Sequence, residues 1–477
     1  MVETHLSVVL LVGDRALKWP KPVQLAFVDQ STPALRGRAC RQEVALNRRL
    51  APDVYLGVLD MVQDGVVVDH LIEMRRMPAE RRLAGLARDH DPDAADEVRR
   101  VARRVAAFHA GAARSVTIAR AGSPVAVRRL WEDNLTEMAA FVPSVLDGDT
   151  LAAVGRAARE YLDGRQGLLE HRQATGMTVD GHGDLLADDI FCLADGPRIL
   201  DCLAFDDRLR HGDVLLDLAF LAMDLEALGR QDLADRLLED YLEFSNEHHP
   251  VSLAHHYIAY RAVVRAKVAC LQVDVGGEAA ARQARARLDL AHRHLQDGRV
   301  RLVLVGGAPG TGKTTLAEGL GGVTGWSVLD SDELRKDLAG LGHAQSAAAP
   351  FGEGIYDPTM TRTVYRRLLE QAGDLLTAGE SVVLDASWTS AETRTAAREL
   401  AHDRHAEVGE LRCTASPAAV TARVDARSRS GVGASDADTE MAARLGTRQD
   451  PWPEAVTLDS DRGIDRTLAD ARAALDL

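Results

Sequence analysis

Residues 307–314 run Gly-Ala-Pro-Gly-Thr-Gly-Lys-Thr, a G-x-x-x-x-G-K-[ST] pattern. A continuous apolar run, 302–305, precedes it, and a helical period of Leu316, Ala317 and Leu320 follows. That strand–loop–helix setting makes a short pattern into a phosphate site. Gly307, Gly310, Thr311 and Gly312 let backbone N–H groups curl around phosphate oxygens. The helix that begins there points its positive end at them. Lys313 has the reach for the β- and γ-phosphates, and Thr314 has the hydroxyl for Mg²⁺, with Thr315 beside it. The last third of the chain therefore reads as a nucleoside triphosphate site, with ATP and Mg²⁺ as the expected pair.

Residues 182–190 read His-Gly-Asp-Leu-Leu-Ala-Asp-Asp-Ile. This spacing resembles the protein-kinase catalytic loop, H-R-D-x-x-x-x-N, which is followed by a strand pair and a metal-binding Asp. Asp184 stands in the catalytic slot and Asp189 in the Asn slot. A strand pair, 190–193 and 198–202, then delivers Asp201. The H-G-D opening is more similar to the aminoglycoside phosphotransferase branch of the kinase-like fold. That resemblance implies that Asp184 accepts the proton of a substrate hydroxyl, that Asp201 with Asp189 holds Mg²⁺ on ATP, and that Asp217 braces the loop. Such folds also pair a strand Lys with a helix Glu. Lys18 is the first candidate, Lys21 the second, and Glu43 the partner.

The resemblance extends along nearly the whole chain. Val2-Glu-Thr-His-Leu-Ser, Gly13-Asp-Arg-Ala-Leu-Lys, Lys21-Pro-Val, Glu43-Val-Ala-Leu-Asn-Arg-Arg-Leu-Ala-Pro and Tyr55-Leu-Gly-Val occur in this order. They are similar to a bacterial family that fuses an aminoglycoside-phosphotransferase-like domain to a P-loop kinase. The resemblance implies two domains, 1–297 and 298–477. The first is an α+β kinase-like fold with a small mixed lobe and a large helical lobe. The second is a three-layer α/β P-loop kinase. Within it, Trp326-Ser-Val-Leu-Asp-Ser-Asp-Glu-Leu-Arg resembles the D-x-[DE]-x-x-R element of gluconate-kinase-like, polynucleotide-kinase-like and zeta-toxin-like enzymes. That implies Asp332 as general base and Arg335 as an acceptor-binding residue. The plainer alternative is that Ser331 and Asp332 cap a helix. The strand ending at Asp385 resembles a Walker-B element, which implies that Asp385 positions Mg²⁺, with Ser387 as a helper. Arg423 and Arg427 lie one turn apart on a helix opened by Ser416-Pro417. Related kinases close such arginines over the phosphates; ion pairs with the abundant acids are the alternative. Asp189 departs from the family's usual Asn and adds negative charge facing the phosphates. Ala204 stands where the family usually has Glu. The chain begins close to its first recognisable strand, so a short nucleotide-covering lobe is expected.

These residues need a scaffold, and the patterning supplies one. Strands are expected around a Gly13-Asp14 turn and over 66–74, and a helix over 36–50. Val98, Val101, Val105 and Phe108 form one apolar helical stripe. Helices are expected through 94–176 and from 213 to 296, with a break at Gly276-Gly277. Thr389-x-x-Glu392 reads as a capping box. His109 reads as a satisfied core or helix-end histidine. His248-His249 and His255-His256 read as a solvated helix surface, since no Cys or carboxylate stands at ligand spacing. Arg261, Arg265 and Lys267 line either a substrate cleft or a surface ion-pair row.

The 477 residues carry a formal net charge of −15, which argues against a surface that coats nucleic acid. Five scattered cysteines without C-x-x-C read as reduced, packed thiols of a cytosolic protein. No apolar run approaches the roughly 20 residues of a membrane span. The leading expectation is a cytoplasmic bifunctional kinase acting on hydroxyls of small molecules such as sugars, aminoglycosides or nucleosides. Two alternatives accompany it: one active P-loop kinase regulated by an N-terminal nucleotide or ligand sensor, and a polynucleotide-type 5′-hydroxyl kinase.

Overall fold

The structure is a computed structural model and describes residues 2–3, 6–25, 28–342, 354–430 and 449–477. The chain divides into two compact units. One comprises Met1–Ala158, Leu169–His249 and Leu253–Asp297; the other comprises Arg159–Leu168, Pro250–Ser252 and Gly298–Leu477. The main change of unit falls between Asp297 and Gly298.

The first unit opens with a five-stranded antiparallel sheet ordered Val2–Glu3, Ser7–Val12, Arg15–Pro20, Val66–Arg75, Tyr55–Gln63. Its first strand is only two residues long. Gly13, at φ 58°, turns the tight hairpin that pairs Val12 with Arg15 and places Lys18 opposite Val9. The helix Pro33–Asn47 follows, capped by the Thr32 hydroxyl and started by a proline. Cys40 and Val44 on that helix share a core with Ala16, Val54, Ile72 and Met74 of the sheet. Its outer turn is pinned by Arg36, whose buried guanidinium forks onto Asp69 at 2.7 and 2.9 Å.

The larger part is helical. Val98, Val101 and Val105 are fully buried on Ala94–Gly111. The helix Val214–Ala227 is buried nearly all round, as its continuous apolar sequence requires. Val251–Leu271 and Val273–Asp297 follow. Gly277 breaks the latter with non-helical angles, as the glycine pair predicts. His248 is exposed as expected, but its neighbour His249 and the pair His255-His256 correct the sequence reading. His256 is 1% exposed and accepts the Trp131 indole N–H at 3.0 Å. His255 meets His294 at 2.8 Å, and His249 meets Glu247 at 2.7 Å. Neighbouring helices cover His255 and His256, a surface that sequence alone reads as solvated.

The second unit holds a five-stranded parallel sheet ordered Ser327–Asp330, Val382–Asp385, Arg301–Gly306, Glu407–Thr414, Val456–Asp459. Helices Lys313–Thr324 and Ile464–Ala474 seal one face through Leu316, Leu320 and Ala471 against Val303 and Val305. Pro358–Thr377 and Ala391–Asp403 adjoin the sheet through Val364, Leu368 and Ala397, giving three layers. Two caps differ from expectation. Asp330, not Ser331 or Asp332, caps Ser331–Leu338, accepting from the Asp332 and Glu333 amides at 2.6 and 3.1 Å. The helix from Ala391 begins one residue too late for a Thr389–Glu392 box, and Asp450 accepts its first amide instead. Among the described residues no helix is long and apolar enough to cross a membrane.

Candidate functional site

In the first unit, the hairpin and the helix Pro33–Asn47 bring Lys18 and Glu43 together. Lys18 Nζ lies 2.8 Å from Glu43 Oε1 and 2.8 Å from Asp201 Oδ1. Burial pulls the Lys18 pKa down, but the two carboxylates outweigh it and hold the ammonium charged. Lys21, the second candidate, pairs with Glu3 at 2.6 Å instead.

Asp201 sits at φ 63°, in the left-handed region that Asp tolerates better than most residues. This turn ends the second strand of its pair at Ile199, short of the expected Cys202. It also aims the carboxylate at Lys18. The next residue is held from the helix side: Cys202 N–H donates to Asn47 Oδ1 at 2.9 Å. Arg49, just beyond that helix, donates to the Asp180 and Gly181 carbonyls at 3.0 and 2.8 Å. One helix end therefore clamps both acidic loops, a link the sequence reading missed because it joins distant segments.

Asp184 follows His182 and Gly183, whose amides donate to Asp217 at 2.7 and 2.8 Å. His109 Nε2 donates to the same carboxylate at 3.1 Å, and Tyr241 bonds the other ring nitrogen. His109 is a buried histidine, as expected, but it belongs to the brace of this loop. Burial raises the Asp184 carboxyl to about 6, with Arg265 opposing and Asp201 adding to the rise. Asp189 lies well above the usual carboxylate range because it is buried and faces Asp201 and Asp184.

In the second unit the candidate residues gather at the carboxyl ends of the parallel strands, where such sheets bind ligands. Gly307, Gly310 and Gly312 have φ of 145°, 81° and 88°. A Cβ on Gly307 would lie 2.7 Å from the Cys413 carbonyl oxygen. Thr311 closes the loop by donating to the Ala308 carbonyl at 2.7 Å. Lys313 and Thr314 open the helix, and Thr315 is exposed. Asp385 stands in register with Val305 and Asp330 on the flanking strands. It is 2% exposed. The Thr314 hydroxyl is near enough to lower its pKa, yet neither carboxylate oxygen meets hydrogen-bond geometry with a partner among the described residues. Burial lifts its pKa to about 7; Lys313 opposes this and Asp330 reinforces it.

That orphaned buried carboxylate fits a cation. Among the described residues, no three His, Cys, Asp or Glu side chains gather at metal-ligand spacing. Mg²⁺ needs no such cage when phosphates and water complete its shell.

Asp332 stays clear of the cap that Asp330 makes, so its carboxylate remains available. Arg335, 4.0 Å from it, is buried and donates to the Ile355 carbonyl at 3.1 Å, over the Tyr356 ring. Arg423 donates to the Gly310 carbonyl at 3.3 Å and to Ser460 at 2.8 Å, which buttresses the phosphate loop from behind. The Arg427 side chain lies outside the described residues. Ser387 is tied to the Tyr365 hydroxyl at 3.1 Å.

A family model described as an AAA domain matches residues 302–451. An uncharacterized protein of Mycobacterium tuberculosis and one of Mycobacterium bovis are each 41% identical over 472 residues, spanning 98% of this chain and 94% of theirs. Among solved structures, a choline/ethanolamine kinase family protein from Mesorhizobium loti aligns with 62% of this chain and 90% of its own. Its identity is 15% and its TM-score 0.39. A gluconokinase from Sinorhizobium meliloti aligns with 37% of this chain and 92% of its own, at 16% identity and a TM-score of 0.28. The chain belongs to the family of these full-length mycobacterial relatives, and its C-terminal unit carries the AAA-type P-loop domain.

Proposed function

We propose that the chain carries two kinase centres, one in each unit. Each moves the γ-phosphoryl group of ATP to a hydroxyl of a small molecule such as a sugar, an aminoglycoside or a nucleoside. The observation that carries this reading is Lys18, held 2.8 Å from both Glu43 and Asp201, in a chain that also has an intact phosphate loop.

In the first centre Asp184 takes the proton of the acceptor hydroxyl. The hydroxyl oxygen forms a bond to the γ-phosphorus as the bond to the β–γ bridging oxygen breaks, and ADP leaves with that electron pair. Lys18, fixed by Glu43, orients the phosphates. In the second centre Asp332 is the base, Lys313 orients the phosphates, and Arg335 contacts the acceptor. Mg²⁺, when held by Asp189 and Asp201 in one centre and by Thr314 and Asp385 in the other, neutralises charge on the phosphates.

A second reading, a single P-loop kinase with an N-terminal nucleotide sensor, draws on the Lys18–Asp201 pair, which engages the carboxylate that Mg²⁺ needs. ATP turnover by the full chain separates the two. Under the proposal, Lys313→Ala and Asp184→Asn each remove part of the turnover and the double variant removes all of it. Turnover lost in Lys313→Ala and unchanged in Asp184→Asn leaves only the second reading.

A further inference from the structure

Three cations lie on the helix Val251–Leu271, and the structure gives them different roles. Arg261 is buried, with Nε donating to the Leu216 carbonyl at 3.0 Å and its guanidinium 4.6 Å from the centre of the Phe220 ring. Lys267 pairs with Glu137 at 3.2 Å. Arg265 is half-buried and, among the described residues, makes no hydrogen bond and no close ion pair. A half-buried guanidinium with no protein partner at hydrogen-bond distance has donors to offer an oxyanion, which its planar fork suits.

Arg265 lines a cavity of about 600 Å³ that also touches Asp188, in the loop between Asp184 and Asp189. That volume is within the range of small-molecule sites, roughly 300–1,000 Å³. The other charges on its wall are largely committed. Arg88 bonds Asp188 at 3.3 Å. Glu226 takes His294 at 2.9 Å and Arg293 at 3.6 Å. Asp289 is exposed to solvent. Asp224 accepts the Ala187 amide at 3.0 Å and stands 3.6 Å from Arg287. Arg265 and Arg287 thus share one nearby carboxylate, Asp224, that is already hydrogen-bonded. Arg265 is also close enough to act on Asp184, yet burial keeps that carboxyl raised, so the two form no tight pair.

We propose that this cavity is the acceptor site of the N-terminal unit, and that its acceptor carries an anionic group, a carboxylate or a phosphate, seated on Arg265 with Arg287 beside it. The inference rests on the reading of that unit as a kinase. Asp184 does not itself line the cavity, so an acceptor anchored there has to extend past Asp188, on the same loop, to bring its hydroxyl to Asp184. A neutral or cationic acceptor would gain no charge-assisted bond from that guanidinium.

The test is calorimetry on full-length Lys313→Ala protein, in Mg²⁺ and a non-hydrolysable ATP analogue so that nucleotide sites are filled. Glycerate and glycerol 3-phosphate are the anionic probes; glycerol and choline are the neutral and cationic counterparts. One or both anions should bind, and their ranking separates carboxylate from phosphate. Arg265→Gln should weaken that binding about tenfold or more, with Arg265→Lys retaining part of it. Arg287→Gln, expected to weaken it less, is the second variant if Arg265→Gln fails to fold. Anions that bind no better than glycerol, no anion binding at all, unchanged binding in a folded Arg265→Gln, or choline as the best probe would each overturn the proposal. Analogue binding that Asp201→Asn abolishes, without anion binding, sinks this inference alone. Absence of any such analogue site sinks the kinase reading of the unit beneath it.

Discussion

Asp217 gathers the His182 and Gly183 amides and the His109 ring on one carboxylate. Burial alone would raise its pKa, but these donors outweigh burial and hold it well below the usual carboxylate range. The sign follows from the depressed folded value. The stabilisation is complete above the unfolded pKa of about 4 and is lost as pH falls into the acid range. Asp217→Asn should therefore cost about 3 kcal/mol at neutral pH, and thermal melts should show its deficit against wild type shrinking in acid. Asp184 has the opposite shift. A general base must be unprotonated, so transfer by the N-terminal unit should fall as pH drops below about 6, with an acid limb in the rate profile of Lys313→Ala protein. Asp189→Asn should change the Mg²⁺ dependence of that same activity; an unaltered Mg²⁺ titration would remove Asp189 from the metal site. The positions of Asp184 and Asp189 were legible in the sequence because their spacing within one loop is local. The free state of Arg265 and the brace from His109 were not, since both depend on helices far away in the chain.

The helix Pro33–Asn47 is the element on which the first site hangs. It holds Glu43 against Lys18, Asn47 against the Asp201 loop, and Arg36 against Asp69. Arg36→Ala strands a buried carboxylate, so it should cost about 3 kcal/mol. Calorimetry should also show weaker nucleotide binding by the N-terminal unit than in wild type, with the P-loop unit unaffected. The phosphate loop is the matching element of the second unit. Gly307→Ala should abolish nucleotide binding there, because its Cβ meets the Cys413 carbonyl oxygen. Apolar alternation and the Pro/Ser/Thr helix starts made most elements readable. Their ends were harder: the left-handed turn at Asp201 cut a strand short, and Asp330 and Asp450 displaced the caps the sequence suggested. Cap identity depends on where a helix begins to within one residue, and that is set by packing.

At the scale of the whole molecule, two proposed nucleotide-type centres share one strongly acidic chain, and relatives of nearly the same length align along almost all of it. Charge and composition bound the class but not the acceptor; a local motif singled out Arg335, whereas the unpartnered state proposed to make Arg265 an acceptor contact depends on tertiary neighbours. The central claim is two sites, and the most direct test counts them. Calorimetric titration of the full chain with a non-hydrolysable ATP analogue and Mg²⁺ should give two equivalents per chain. Lys313→Ala should remove one and Asp201→Asn the other. A single equivalent, lost in Lys313→Ala and untouched by Asp201→Asn, would contradict the account.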